Sequence, residues 1–404
     1  MSKRVGFYGL ISFLLLGYVF FILVQRNGRL LKDDIPRMFM RRSCKKVDEI
    51  KKANSSTTTL SEIQQVLNLQ RRIIRNEMMD YQYPNEGYQR RNVTKLRDLL
   101  IAENGNPMRS VIVARVRSGS TFLGDIVAAH PAVFYHCEPL LDFGKIRITD
   151  PPLTSQALKN LKRLLNCEYA DLDHYIEHGK TEYWNIRFNT PLWTQCQTHP
   201  SICHDYRFLS GMCKLFPFQS MKIARLRLHI AKELLDDKKL AVRLVLLVRD
   251  PRGILQSRQR TSFCRKNPDC LDPGLLCADL VADYNSAVEL QKKYPSTFRV
   301  IRYEDLSVAP YKQVEELFKF YGLDFHPNVK KYVDTHTKND AGDVYSTYRN
   351  SKKAPFHWRT DLEFEEVEEI QRNCLVAMKH WGYVPALNIS HQREFNPVTD
   401  YKLH

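Results

Sequence analysis

Residues 242–248 are a near-continuous apolar run, broken only by Arg243. A strand of that composition is buried on both faces, the situation of a parallel sheet covered by helices. The run leads straight into Arg249, Asp250, Pro251, Arg252 and Gly253. Pro251 suits the first position of a helix and Asp250 its N-cap. This stretch therefore predicts an α/β fold, with a central, mostly parallel sheet flanked by helices.

A second stretch repeats the pattern. Val111, Ile112, Val113 and Ala114 give way to Arg115, Val116, Arg117, Ser118, Gly119, Ser120 and Thr121, and an amphipathic run from Phe122 follows. That reads as strand, tight loop and helix. Such a loop aims backbone N–H groups and a helix N-terminus at one point, where an anion is favoured. Gly119 permits close backbone approach, Ser118, Ser120 and Thr121 offer hydroxyls, and Arg117 offers a fixed charge. The simpler alternative is a helix cap beside an exposed arginine. No Gly-Lys-Ser/Thr follows the strand, so no Walker lysine is present.

Three further readings complete the candidate site. A strand over 133–137 ends at Glu138-Pro139, which places a carboxylate at the ligand-binding edge of a parallel sheet. A general base is one reason for it; pairing with a nearby arginine is the other. A strand over 220–224 brings Lys222, Arg225 and Arg227 to the same edge. After the 242–248 strand, Arg249 and Ser257 can grip one phosphate from two sides. Two strand–loop–helix anion sites in one sheet suit a ligand with two separated phosphate-type groups.

The charge balance agrees. The 404 residues carry a formal net charge of +16, so nucleotides, acidic glycans, membrane surfaces or nucleic acid are the expected partner classes. Ten cysteines include the close groups Cys196, Cys203, Cys213 and Cys264, Cys270, Cys277. In an oxidising lumen these staple loops, with a pairing that spacing does not reveal. Their spacing, and that of His174, His178, His199 and His204, fits no metal signature, and no metal is expected.

Val5 to Val24 is uncharged and long enough to span a bilayer, with no cleavage signature after it, and reads as a signal anchor. Basic residues lie on both sides, so the charge rule does not orient it. Cysteine usage and the sequons at Asn54, Asn92 and Asn388 favour a luminal body. The expected organisation is a cytoplasmic tail 1–4, transmembrane anchor 5–24, stem 25–106, catalytic domain 107–385 and polar C-terminal tail 386–404. Within the stem, residues 60–79 show weak helical periodicity, and homo-oligomerisation through it is one expectation. Residues 142–218 read as an insertion over the active face that chooses an acceptor.

The ordered set Arg117–Phe122, Phe134–Leu140, Arg249–Arg258, Arg302–Leu306, Tyr348–Ser351, Trp358-Arg359 and Trp381–Tyr383 resembles the Golgi carbohydrate sulfotransferases. It is most similar to the 6-O-sulfotransferases of galactose, N-acetylgalactosamine and N-acetylglucosamine. Thr121 stands where that family usually has serine, and residues 142–218 resemble it poorly. The resemblance implies a P-loop-like sulfotransferase fold and a single-pass type II Golgi membrane enzyme. Its donor would be 3′-phosphoadenosine 5′-phosphosulfate (PAPS), and its partner a glycan or proteoglycan rather than nucleic acid. It also implies that Arg117, Ser118, Gly119, Ser120, Thr121 and Phe122 hold the 5′-phosphosulfate, and that Arg249 and Ser257 hold the 3′-phosphate. Glu138 would be the base, Lys222 a charge-neutralising group, and Arg349 a nucleotide contact in a covering loop over 344–354. The competing readings are a nucleotide-dependent kinase and a membrane-anchored binder of acidic glycans with an inactive nucleotide site.

Overall fold

Each apolar run forms a strand: β1 (Met108–Ala114), β2 (Val133–Cys137), β3 (Phe218–Ile223), β4 (Val242–Val248) and β5 (Phe298–Arg302). All neighbours pair in parallel, in the order β2-β3-β1-β4-β5. β4 lies between β1 and β5, and nearly all of its residues are buried. That explains its uninterrupted apolar character. β3 is equally buried despite Gln219, Ser220 and Lys222; Gln219 bonds the Cys167 sulfur and Lys222 bonds Glu138. This computed structural model describes residues 59–83, 93–182 and 184–403. The expected anchor 5–24, the tail before it and the stem up to residue 58 lie outside the described residues. Among the described residues no helix is long and apolar enough to cross a membrane.

The helices cover both faces of the sheet. α1 (Ser120–Ala128) buries Phe122, Leu123, Ile126 and Val127 and ends before Pro131. α2 (Leu153–Leu165) and α3 (Thr190–Thr198) belong to the insertion between β2 and β3. α4 (Pro251–Gln259) starts as expected, with Asp250 Oδ1 accepting the Arg252 N–H at 2.9 Å. α5 (Pro273–Lys293) packs against α7 (Phe364–Trp381) and is tied to it by the Cys277–Cys374 disulfide. Between them α6 (Pro327–His336) leads into the expected covering loop. Among the described residues the other disulfides are Cys167–Cys213, Cys196–Cys203 and Cys264–Cys270, while Cys137 is a buried free thiol.

Three segments pack in ways that the sequence did not show. The compact unit that holds the sheet runs from Ser61 to His404, so the helix ahead of the 107–385 segment is part of it. The helix over residues 59–77 buries Ile63, Val66 and Ile74 in the common core, and Glu62 bonds His199 at 2.9 Å and Ser201 at 3.1 Å. Its stripe is narrow and interrupted by the buried Gln70, so its periodicity looks weak. The C-terminal segment is woven in rather than a free tail. Arg302 donates to the Thr399 carbonyl at 2.7 Å, Tyr284 to the Lys402 carbonyl at 2.7 Å, and Tyr401 packs edge-on against Trp381. The insertion 142–218 folds into short helices against the β2 side and contributes no lining to the basic cleft described next.

Candidate active site

Every strand ends at a side chain of one cleft. β1 runs into Arg117 and the loop to Phe122, β2 into Glu138, β3 into Ala224 and Arg225, β4 into Arg249, and β5 into Tyr303. All of these line a cavity of about 620 Å³. β1 and β4 are neighbours, yet the chain leaves β1 towards β2 and leaves β4 towards β5. Such a switch point opens a crevice at the C-terminal strand edge, where open parallel sheets bind ligands.

The loop after β1 is shaped by two left-handed residues, Arg117 at φ 71° and Gly119 at φ 90°. The Ser118 N–H closes the turn onto the Arg115 carbonyl at 3.0 Å. Gly119 is needed twice over: its φ disfavours a side chain, and a Cβ there would overlap the Tyr303 ring. No side chain caps α1, so the N–H groups of its first turn have no capping partner. The Ser118 hydroxyl is buried without a hydrogen-bond partner. Arg115 is not a cleft charge: its Nε donates to Asp283 at 2.8 Å, and its guanidinium also pairs with Asp279 at 3.6 Å. Arg258 reaches the Val116 carbonyl at 3.2 Å and the Cys270 carbonyl at 2.9 Å, bracing the loop from behind.

Arg117, Arg249 and Ser257 converge. Arg117 Nε donates to Ser257 Oγ at 3.0 Å, and Arg249 Nη1 donates to the Arg117 carbonyl at 2.9 Å. Arg249 also stacks over Tyr303, 4.6 Å from the ring centroid, and its Nε is buried without a partner. Burial, then the charge of Arg249, pushes the Arg117 guanidinium down to about 10. Two adjacent cations, one of them buried with an unpartnered Nε, favour anionic groups beside them. Arg252, in the same segment, has a different task. It is fully buried, clamps Asp250 with two bonds, and stacks on Trp358 at 4.0 Å.

Glu138 sits at φ 50° and is buried. Its Oε1 accepts from Lys222 Nζ at 2.8 Å, and its Oε2 accepts from Arg225 at 2.7 Å and from the Ala224 N–H at 3.3 Å. Burial opposes its ionisation, but the charges of Lys222 and Arg225 outweigh burial and hold the carboxyl below its ordinary value. The sequence alternatives meet here: the carboxylate is ion-paired, and it is ionised beside the basic loop. One further acid lies behind it. Burial pushes Asp125, on α1, up to about 7 despite the Lys222 charge and a 3.3 Å bond from Tyr332.

The covering loop closes the cleft on the α6 side. Arg117 Nη2 donates to the Val344 carbonyl at 2.5 Å, and Tyr332 donates to Thr347 at 3.0 Å. His336 lies between the rings of Tyr332 and Tyr348, each centroid 3.8 Å away. Arg349 lines the cleft, but its guanidinium is spent on the loop itself, on the carbonyls of Ala341 (3.1 Å), Asp343 (2.6 Å) and Tyr348 (2.7 Å). Sequence reasoning did not single out Tyr303, His336 or Tyr345. Tyr303 carried the signal that found Arg249, a first residue after a strand; His336 and Tyr345 reach the cleft only through tertiary folding. Among the described residues no group of His, Cys, Asp or Glu is arranged to hold a metal ion.

A parallel sheet with basic loops on both sides of its switch point, and a carboxylate beside them, is an arrangement suited to an anionic ligand. The model of the sulfotransferase domain matches residues 107–382, and the chain belongs to that family, a class of enzymes. Among curated relatives, mouse carbohydrate sulfotransferase 1 is 26% identical over 346 residues, covering 71% of this chain and 84% of its own. Mouse carbohydrate sulfotransferase 4 is 26% identical over 326 residues, covering 70% and 83% respectively. Human carbohydrate sulfotransferase 3 is 25% identical over 324 residues, covering 69% and 67%.

Proposed function

We propose that this enzyme transfers a sulfuryl group from PAPS to a hydroxyl of a glycan sugar, at the primary 6-OH of galactose, N-acetylgalactosamine or N-acetylglucosamine. The observation that carries the reading is the convergence of Arg117, Ser257 and Arg249 on one cleft with Glu138. Membership of the sulfotransferase family and the names of the relatives support it. The residues fit the donor: the Ser118 hydroxyl and the Nε atoms of Arg225 and Arg249 are buried polar groups lacking partners, which an anionic ligand would satisfy.

The donor supplies an activated sulfuryl group as a phosphosulfate anhydride. In this reading the chain does the rest. The loop Arg117–Phe122 holds the 5′ end through backbone N–H groups and hydroxyls. Arg249, with Ser257 on α4, holds the 3′-phosphate. Lys222 and Arg225 stabilise the negative charge that develops beside them. The Glu138 carboxylate takes the proton of the acceptor hydroxyl. Its lowered pKa keeps it ionised at neutral pH, and its modest basicity suits a step in which most of the work is charge stabilisation.

The same reading places the chain in the Golgi membrane through the anchor 5–24, with the body luminal. The four disulfides among the described residues suit that compartment. The test is transfer of labelled sulfate from PAPS to chondroitin, keratan and N-acetylglucosamine-terminated acceptors, with the product position mapped. Glu138→Gln is expected to lose about 100-fold or more in kcat while retaining PAPS affinity. Near-normal turnover would remove Glu138 from the base role, and glycan binding without transfer by the wild type would leave an acidic-glycan binder.

A further inference from the structure

Arg258 is a buried cation that the mechanism above does not use. It follows Ser257 on α4, yet it is not part of the cleft lining. It forms no ion pair among the described residues. Its guanidinium instead bridges two carbonyls, Nε donating to Val116 at 3.2 Å and Nη1 to Cys270 at 2.9 Å. Burial, then the nearby Arg115 charge, pushes this guanidinium down to about 10. A buried cation whose hydrogen bonds all go to carbonyls costs stability. What it does for the protein is found at the two carbonyls.

The Val116 carbonyl belongs to the anion loop. The next residue, Arg117, sits at φ 71°, a left-handed conformation that a residue with a side chain keeps only where its surroundings hold it. Both flanking carbonyls are held: Arg258 takes that of Val116, and Arg249 takes that of Arg117 at 2.9 Å. In a planar trans peptide the C=O and the following N–H point in opposite directions. Turning the Val116 carbonyl onto Arg258 therefore turns the Arg117 N–H the other way, and that N–H has no partner among the described residues. The second carbonyl is equally fixed. Cys270 is closed onto Cys264 by a disulfide spanning six residues. Inside that ring the Cys270 N–H donates to the Asn267 carbonyl at 3.0 Å, and the Asn267 N–H to the Cys264 carbonyl at 2.9 Å. The ring also reaches the cleft edge through Phe263, just ahead of Cys264. We infer that Arg258 is a positioning residue for the donor: the Cys264–Cys270 ring holds Arg258, and Arg258 holds the Arg117–Phe122 loop in the shape that receives the 5′-phosphosulfate. Arg258 thus serves the 5′ end of the nucleotide, although its neighbour Ser257 is assigned to the 3′ end. This rests on the sulfotransferase reading of the cleft.

The test titrates the full chain calorimetrically with adenosine 3′,5′-bisphosphate and with adenosine 3′-phosphate, which lacks the 5′ group. Arg258→Lys keeps the buried charge but not the rigid fork that spans two carbonyls. It is expected to raise Kd for the bisphosphate about tenfold and to leave Kd for the 3′-phosphate within about twofold of wild type. Cys264→Ser combined with Cys270→Ser, which opens the ring and leaves Arg258 in place, should show the same selective loss. Because ring and arginine act along one path, all three substitutions together should bind no worse than Arg258→Lys alone. A purely structural role would lower the melting temperature and the fraction of chains that bind while leaving Kd unchanged, and that result would overturn the inference. So would equal losses for both nucleotides, which would assign Arg258 to the 3′ end, or additive losses in the combined variant, which would separate the ring from the arginine. A wild type that binds neither nucleotide would instead remove the sulfotransferase reading itself.

Discussion

Gly119→Ala tests the geometry of the cleft with a single methyl group. Residue 119 sits at φ 90°, and its missing Cβ leaves the space that the Tyr303 ring fills. Holding an alanine in the left-handed region costs roughly 1–2 kcal/mol. Forcing a methyl into a packed position costs roughly 1–3 kcal/mol more. The total, about 2–5 kcal/mol, is relieved by shifting either the Arg117–Thr121 loop or Tyr303, and Tyr303 supports Arg249 at 4.6 Å. If about 3 kcal/mol of it appears as lost transition-state binding, kcat/KM falls on the order of 100-fold. The assay is labelled-sulfate transfer at subsaturating acceptor, with thermal melts confirming the fold. A second arm adds Tyr303→Ala. Removing the ring abolishes the overlap, so the double variant should be less impaired than the product of the two single effects by roughly tenfold. Near-wild-type transfer by Gly119→Ala, or strictly multiplicative losses in the double variant, would refute the close approach of this loop to β5.

Arg252→Leu is expected to destabilise the fold by roughly 3–5 kcal/mol in denaturant titrations, since it strands the buried Asp250 carboxylate. An effect within the noise would mean that Asp250 finds another partner. Asp125 predicts a pH effect of definite sign. Its folded pKa, near 7, lies above the ordinary 3.8. Between those values the folded chain keeps a proton that the unfolded chain has released, so stability falls as pH rises from about 4 to 7 and is level above. Asp125→Asn should flatten that slope by roughly 2–4 kcal/mol over the window, and parallel wild-type and variant curves would contradict the burial argument.

How much of this was legible in the sequence depended on the kind of force involved. β2 and β4 fall on the residues read for them, because a short apolar run bounded by Pro131 and Glu138-Pro139, or by Asp250-Pro251, allows little else. The cleft residues were legible for a related reason: in a parallel sheet, whatever follows a strand faces the ligand edge. Which of them touch was not legible. Ser257 was read as gripping one phosphate together with Arg249, and nothing in the sequence signalled that it also accepts from Arg117. Arg349 was read as a ligand contact, yet in this structure it holds carbonyls of its own loop. An arginine ligand and an arginine staple have the same composition signature. The helix over 59–77 and the segment after residue 386 escaped because their burial rests on distant partners, His199 for one and Arg302 for the other.

The central claim is that loops from β1 and β4 clasp opposite ends of one nucleotide. Calorimetric titration of the full chain with adenosine 3′,5′-bisphosphate tests it most directly, comparing wild type with Arg249→Ala. Loss of one charged, buried contact is worth roughly 2–4 kcal/mol, so Kd should rise on the order of 30- to 1,000-fold, and adenosine 5′-phosphate, lacking the 3′ group, should bind both proteins with similar weakness. Equal affinity of wild type and variant for the bisphosphate would contradict the account.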